Sequence, residues 1–518
     1  MQLHKVSEKD AVINLSKRKF LDEAAQGLIP PLFAELPYSD PLRFYNSLDD
    51  RRNSIFLDSA KEAPRIGRYS FIAAEPYLTF RLRSGEIEIT DTASGQRTMS
   101  FRDPFERLRE LLSAYPQKPE AGLPPFQGGA IGLISYDFAR YIERLPSHAL
   151  DDLGIPEAHF LFVGTVYAFD HVLKKAWVIC APGAGATGLG YRDAGDLDLS
   201  SAYDAASEKL SVAVSRYAAA MSRNGDSAMS ARMPGGRPTE ISYEMPKRQY
   251  MDIVKRAKEY IAAGDIFQAN LSQRMFADIG DADPWLIYGV LRRINPSPFA
   301  VYADFGDYRI ASSSPERLIS ARHGIIETRP IAGTRPRGKD REGDSFMRSE
   351  LLLNEKERAE HIMLIDLERN DIGRVSRYGS VAVDELMITE DYSHVIHIVS
   401  NVKGIVRGGM SCLDVVRATF PGGTITGVPK VRCMEIIDEL EPVRRGPYTG
   451  SMGYIGFSGD MDLNIIIRTF AIKEGRAYIQ AGAGIVADSD PEREYYETMK
   501  KAEALIKTLD TLGITHIK

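Results

Sequence analysis

Between residues 54 and 180, short apolar runs alternate with polar breakers as strands do. SIFLDSA, RYSFIAAEPYLTFRL, GEIEIT, GGAIGLISYDF, HFLFVGTVYAFDHV and KKAWVICA are rich in β-branched and aromatic residues and are bounded by Gly, Pro and Asp. One stretch among them, DPFERLRELLSAY, has helical spacing. A Gly/Ala-rich segment, APGAGATGLGYRDAGD, leads to a second helical run, SSAYDAASEKLSVAVSRYAAAM, and RNGDSAMSARMPGGRPTE then reads as a mobile connection. At Tyr243 the texture changes. MPKRQYMDIVKRAKEYIAAGD predicts a helix that ends near Gly264. Strand-like runs (YRIASSS, GIIETRPIAG, HVIHIVSNVKGIV, NIIIRTFAI, RAYIQAGAGIVA) then alternate with two long helical ones, DSFMRSELLLNEKERAEHIMLIDLERND and PEREYYETMKKAEALIKTLDTL. The pattern predicts an α+β protein. A β-rich region spans 1–235, with a mobile connection near 182–240, and a C-terminal domain spans 241–518. They form two α+β domains or two interleaved sheets.

Composition narrows the class. The 518 residues are 44% hydrophobic and 26% charged, as in an ordinary globular protein. A net charge of −6 argues against a nucleic-acid partner but leaves room for a local anion site. Three scattered cysteines, Cys180, Cys412 and Cys433, form no disulfide framework or zinc ribbon and suit a reducing compartment. No run of about 18 apolar residues appears, and the opening MQLHKVSEKDAVINLSKRKF lacks a signal-peptide core. The expectation is a cytoplasmic enzyme with no membrane segment.

Several constellations carry chemistry. Glu357 and Glu360 lie three apart in one helical run, as do Glu494 and Glu497 in the last. That spacing puts each pair on one face, where hard oxygens suit Mg²⁺; two solvated helix faces would look the same. Small residues in AGAGIVA follow a strand-like run and bring backbone N–H groups close to an anion or make a tight turn. They lack the spacing of a P-loop or dinucleotide fingerprint. Arg468 reads as a cation inside an apolar strand, paired with a carboxylate of the protein or of a ligand. His394 and His397 would point to opposite faces of a strand, which makes them poor joint ligands. Glu316 follows Pro315 at a strand end, as a general acid or a surface turn residue. FPGGTITGVPK fixes backbone near a ligand or makes a loop, and Cys412 reads as a helix start. No Ser-His-Asp or Cys-His set assembles.

Together IFQANLSQR, INPSPF, SSSPERL, RPIAGTRPRG, NEKERAEHIMLIDLERNDIGRV, YSHVIHIVSNVKG, FPGGTITGVPK, MEIIDELEPVRRGPYTGSMGY, IIIRT and QAGAGIVADSDPEREYYET resemble the chorismate-utilising synthases. These are anthranilate synthase component I and aminodeoxychorismate synthase component I, with isochorismate and salicylate synthases more distant. The resemblance covers nearly all of 243–510 and extends loosely to FLDSA and GRYSFIAAEP. It implies a sandwich of large antiparallel sheets flanked by helices, with a C-terminal cleft for chorismate. It implies Mg²⁺ on Glu360 and Glu497, with Glu357 and Glu494 beside them. Tyr448, Arg468, Gly482, Ala483, Gly484, Gly333, Thr334 and Lys430 match substrate positions, Glu316 the general acid for the departing C4 hydroxyl, and His397 and Thr426 further catalytic positions.

Two positions separate the branches. Water-using relatives carry Lys where this chain has Gln268, so the resemblance implies ammonia, delivered by a separate glutamine amidotransferase subunit. Many aminodeoxychorismate synthases carry Lys in place of Ala332, forming an adduct at C2 that sends ammonia to C4. Ala332 cannot form it and favours anthranilate. FPGGTITG, QANLSQ, SSPERL and TGSMGYIGFSGDMDLNI look more like the aminodeoxychorismate branch, which this reading prefers. Ser59 lies near the position where anthranilate synthases bind regulatory tryptophan, but the LLES motif is absent and Phe299-Ala300 replaces Tyr-Met. A non-catalytic chorismate-binding subunit is the alternative of another class.

Overall fold

The computed structural model of the protein describes residues 13–60, 66–186, 197–222, 239–338, 340–391 and 395–515. Among them, two 12-stranded sheets form, and the paired strands run antiparallel. Each sheet takes strands from both sides of the expected 235–241 boundary. In the first, Ser54–Asp58 pairs with Phe299–Asp304; in the second, Gly129–Ile134 pairs with Ser451–Gly456. Part of the expected connection lies outside the described residues. Within the rest, Leu199–Ser222 is a helix.

Strands in the middle of the sandwich are apolar on both faces, which is why their sequences read as continuous hydrophobic runs. Ile131, Leu133 and Leu161 of the second sheet pack with Ile55, Val166 and Val301 of the first. Their alternating neighbours Ala130, Ile134 and Phe160 face outward onto helical residues such as Leu108, Ile365 and Ile436. On the other outer face, Phe56 and Ile479 meet Tyr217, Trp285 and Leu505. Each such large side chain contributes about 1.5–3 kcal/mol on burial. Among the described residues, no helix is long and apolar enough to cross a membrane.

Most helices form where spacing predicts them. The helix Lys247–Ala262 ends with Gly264 at φ +83°, a conformation a side chain would resist. The long run after Asp344 is corrected: it is two helices, Arg341–Leu353 and Glu355–Gly373. Asn354 breaks it in an extended conformation, and its side chain accepts the Glu357 N–H at 3.0 Å as an N-cap.

The pairing of Gly129–Ile134 with Ala158–Val163 depends on one glycine. A Cβ on Gly132 would stand 2.1 Å from the His159 carbonyl oxygen. Gly132→Ala is expected to lower stability by about 1–3 kcal/mol, read as a fall in the urea midpoint; an unchanged midpoint would contradict the close approach.

Candidate active site

The strands Gln268–Asp278 and Arg476–Ile485 lie side by side, with Asn270 opposite Gly484 and Ser272 opposite Gly482. Gly482, Ala483 and Gly484 are therefore inside a strand, not in a turn after it. The glycines are required by what stands over them. A Cβ on Gly482 would lie 2.5 Å from Asn270 Oδ1 and 2.9 Å from the Tyr448 hydroxyl. One on Gly484 would lie 2.5 Å from Gln268 Nε2. Lys501, from the helix Pro491–Thr511, reaches back to donate to the Gly482 carbonyl at 3.0 Å and pairs with Glu497 at 2.8 Å. Gln268, Asn270, Tyr448, Lys501 and the glycine strand thus share one wall.

Glu316 is only 6% exposed, so the surface-turn alternative fails. Burial pushes its carboxyl up to about 7 from an ordinary 4.5, while the Thr424 hydroxyl, the Ile331 N–H, Arg468 and Lys501 pull it partly back. Four other segments thus bear on one carboxyl. A group protonated up to about neutral pH, beside two cations, can give a proton to a leaving group on an anionic ligand. Arg468 is not within a strand, as its apolar neighbours suggest. It joins Met461–Asn464 to Thr469–Lys473 with φ +52°, a left-handed conformation that costs a non-glycine residue energy.

The segment Ile331–Pro336 is a strand, bulged at Gly333 and paired with Val395–Ile405. Gly333 has φ +65°, and a Cβ there would meet Glu357 Oε2 at 2.6 Å. Its carbonyl lies 3.3 Å from His397 Nδ1, and His397 is buried. His394 lies outside the described residues, and of Thr334 only the backbone is described. The arginines of this segment face the protein's own acids: Arg329 binds Glu385 at 2.6 Å and also Glu390, Arg335 binds Glu350 at 3.0 Å and Glu357 at 2.6 Å, and Arg337 binds Asp344.

Glu357 and Glu360 lie one turn apart on Glu355–Gly373, as do Glu494 and Glu497 on Pro491–Thr511. Among the described residues, no three His, Cys, Asp or Glu side chains are gathered closely enough to hold a metal ion. Glu357 Oε2 is nevertheless buried without a hydrogen-bond partner. An all-carboxylate set with such an oxygen fits a hard divalent cation in kind.

Two expected site residues are engaged elsewhere. The Thr426 hydroxyl donates to the Gly422 carbonyl at 2.8 Å; the Thr424 hydroxyl, two residues earlier, is buried without a hydrogen-bond partner and is the one that bears on Glu316. Lys430 pairs with Asp371 and donates to the Thr419 carbonyl at 3.1 Å. Lys501 and Thr424 escaped the sequence reading, although Lys501 follows Glu497 by four on one helix, a spacing that brings side chains together. The buried Arg445 binds both Glu441 oxygens, at 2.9 and 2.7 Å, and the carbonyls of Asn270 at 2.6 Å and Ile425 at 3.0 Å. Ala332 pairs with Ile398 in the strand ladder. Ser59 is remote from this wall: its hydroxyl donates to the Tyr69 carbonyl at 2.7 Å, and it lines a cavity of about 500 Å³ with Arg68, Arg317, Arg322 and Tyr454.

Comparison with known proteins matches this architecture. The family model described as chorismate binding enzyme covers residues 52–507. Anthranilate synthase component 1 of Acetivibrio thermocellus is 40% identical over 473 residues, 91% of this chain and 93% of that protein. Aminodeoxychorismate synthase component 1 of Bacillus subtilis is 43% identical over 472 residues, 90% of this chain and 94% of that protein. The crystal structure of anthranilate synthase component I from Streptococcus pneumoniae aligns with a TM-score of 0.73 at 35% identity, covering 86% of this chain and 93% of that one.

Removing the Arg445 charge would leave Glu441 buried and unpaired. Arg445→Ala is expected to destabilise the protein by about 3–5 kcal/mol, measured by chemical denaturation, whereas a loss below about 1 kcal/mol would place the pair among weak surface bridges.

Proposed function

The chain belongs to the chorismate-binding enzymes, and from that premise we propose that it aminates chorismate as an aminodeoxychorismate synthase component I. The observation that carries amination is Gln268, whose amide stands over Gly484 on the site wall. An uncharged amide cannot activate water as a general base, so the nucleophile is ammonia. A glutamine amidotransferase subunit supplies it. Chorismate carries two carboxylates, and Arg468, Lys501 and the Tyr448 hydroxyl are the donors for them. Glu316 protonates the departing C4 hydroxyl. His397 is held by the Gly333 carbonyl on the opposite wall. Mg²⁺ held by Glu360 and Glu497, with Glu357 and Glu494 beside them, neutralises the ring carboxylate when bound.

Addition at C4 with the enolpyruvyl group retained is the preferred outcome, on the likeness of FPGGTITG, QANLSQ and SSPERL to that branch. The second reading is anthranilate synthesis, with addition at C2 and loss of pyruvate. Ala332 favours it, because a methyl group cannot form the covalent adduct that blocks C2.

Product analysis with chorismate, Mg²⁺ and ammonium salts decides between them. The expected product gives 4-aminobenzoate only after a lyase is added. Pyruvate release with blue-fluorescent anthranilate and no added lyase would establish the second reading, and no chorismate consumption would leave a binding subunit. Glu360→Ala or Glu497→Ala should abolish Mg²⁺-dependent turnover; retained activity would refute the metal assignment. Glu316→Gln should lower kcat about 10²–10⁴-fold. Because the acid works while protonated and its folded value is raised to about 7, kcat/KM for chorismate should fall as pH rises through about 7 when free NH₃ is held constant. A profile flat through that range would remove Glu316 from the acid role.

A further inference from the structure

Two amide oxygens on the site wall have nothing to accept. Asn270 is only 9% exposed, and its Oδ1 is buried without a hydrogen-bond partner among the described residues. Gln268 Oε1 is buried in the same state. The two residues are two apart in the strand Gln268–Asp278, so their side chains leave it on one face. They stand over the bare glycines of the neighbouring strand. Asn270 Oδ1 is 2.5 Å from the point a Gly482 Cβ would occupy, and Gln268 Nε2 is 2.5 Å from the same point on Gly484.

Nothing in the surrounding protein satisfies these oxygens. The Asn270 backbone is held at both ends, its N–H donating to the Thr426 carbonyl at 2.8 Å and its carbonyl accepting from Arg445 at 2.6 Å. The Gln268 carbonyl accepts from the Cys433 thiol at 3.0 Å. Neighbouring donors are engaged: Lys501 with the Gly482 carbonyl and Glu497, and Gln480 with the Ser272 hydroxyl at 2.9 Å. The Tyr448 hydroxyl comes within 2.9 Å of the Gly482 point, yet Asn270 Oδ1 has no bond from it. A buried acceptor left empty costs free energy, and two on one face call for a ligand that brings donors.

The two reactants differ in what they bring. Chorismate presents two carboxylates and an enol ether, all acceptors, and a single ring hydroxyl. Ammonia presents three N–H donors and one lone pair. We propose that Asn270 and Gln268 form the ammonia site of this enzyme, two amide oxygens that hold the nucleophile by its N–H groups and leave its lone pair free for the ring. The assignment rests on the amination reading. It makes Asn270 a substrate-binding residue and gives Gln268 a function besides its inability to activate water. Because the amides are uncharged, they hold NH₃ without favouring its protonated form, as a carboxylate would.

Steady-state kinetics at fixed pH with Mg²⁺ test the site. Ammonium chloride is varied at saturating chorismate, then chorismate at saturating ammonium chloride. Asn270→Leu and Gln268→Leu each remove one acceptor, so KM for ammonia should rise about tenfold with KM for chorismate unchanged. Asn270→Asp keeps the acceptor and adds a charge. It should hold ammonium, which has no lone pair, so KM for ammonium chloride should stay at or below the wild-type value while kcat falls. Leucine variants with a lower kcat and both KM values unmoved would assign the amides to packing. A rise in KM for chorismate alone would assign them to its hydroxyl. Either result overturns the proposal. Should a leucine variant not fold, the aspartate variant decides: a raised KM for ammonium chloride would overturn the site. Wild type that incorporates no ammonia refutes the amination reading and the site with it, whereas wild type that aminates beside unaltered variants refutes the site alone.

Discussion

Arg445 and Glu441 meet in the protein interior, where neither charge can be solvated without the other. A guanidinium offers five donors in a fixed plane, and here they run to Glu441, to the Asn270 and Ile425 carbonyls and to the Thr449 hydroxyl at 3.3 Å. Glu441 in turn accepts the Ser272 N–H at 2.7 Å and the Ser272 hydroxyl at 2.8 Å. The Arg445 guanidinium also lies 5.7 Å from the Tyr448 ring centre. One pair thus fixes the strand bearing Gln268 and Asn270, the loop bearing Thr424, and Tyr448. Buried pairs often add little net stability. This one sets relative positions, because its donors cannot all be satisfied in another arrangement.

Charge compensation divides the rest of the site into scaffold and working groups. The cations of RPIAGTRPRG look available for an anion, yet each binds a nearby Glu or Asp. They hold the bulged strand so that the Gly333 carbonyl meets His397. The charges that bear on Glu316 come from elsewhere, from Arg468 in a left-handed turn and Lys501 on the last helix. Both depend on backbone geometry: Arg468 on the chain reversing between two strands, Lys501 on its bond to the Gly482 carbonyl.

The helices and the strand texture were legible because their signals are local, periodic apolar spacing and turn residues, and the i,i+3 carboxylates and glycine clusters stood out in the same way, whereas the roles given to them came from the resemblance. What escaped depends on distant partners. Gly482 and Gly484 read as an anion-approaching backbone or a tight turn, because sequence does not show Asn270, Tyr448 and Gln268 standing where their side chains would be. Lys430 matched a substrate position by resemblance, and its pairing with Asp371, 59 positions away, is not visible in the sequence. Arg468 read as a strand residue because its apolar flanks conceal a change of hand. Two interleaved sheets stood as one of two alternatives, and the pairing of Ser54–Asp58 with Phe299–Asp304 and of Gly129–Ile134 with Ser451–Gly456 decides for it.

Ala332 has an electrostatic consequence beyond the adduct it cannot form. It directly follows Ile331, whose N–H is one of the influences that pull the raised proton affinity of the Glu316 carboxyl partly back. An ammonium at position 332 would place a third cation near that carboxyl and favour its ionised form. Alanine leaves burial as the dominant influence, so the acid keeps its proton near neutral pH. On the proposed function, a chain with Ala332 gives up covalent steering but retains a stronger hold on the proton for the leaving hydroxyl. On that proposal, with neither a base at Gln268 nor an amine at Ala332, the choice between C2 and C4 falls to how the ring is held against Glu316, which returns it to the wall that Arg445 fixes.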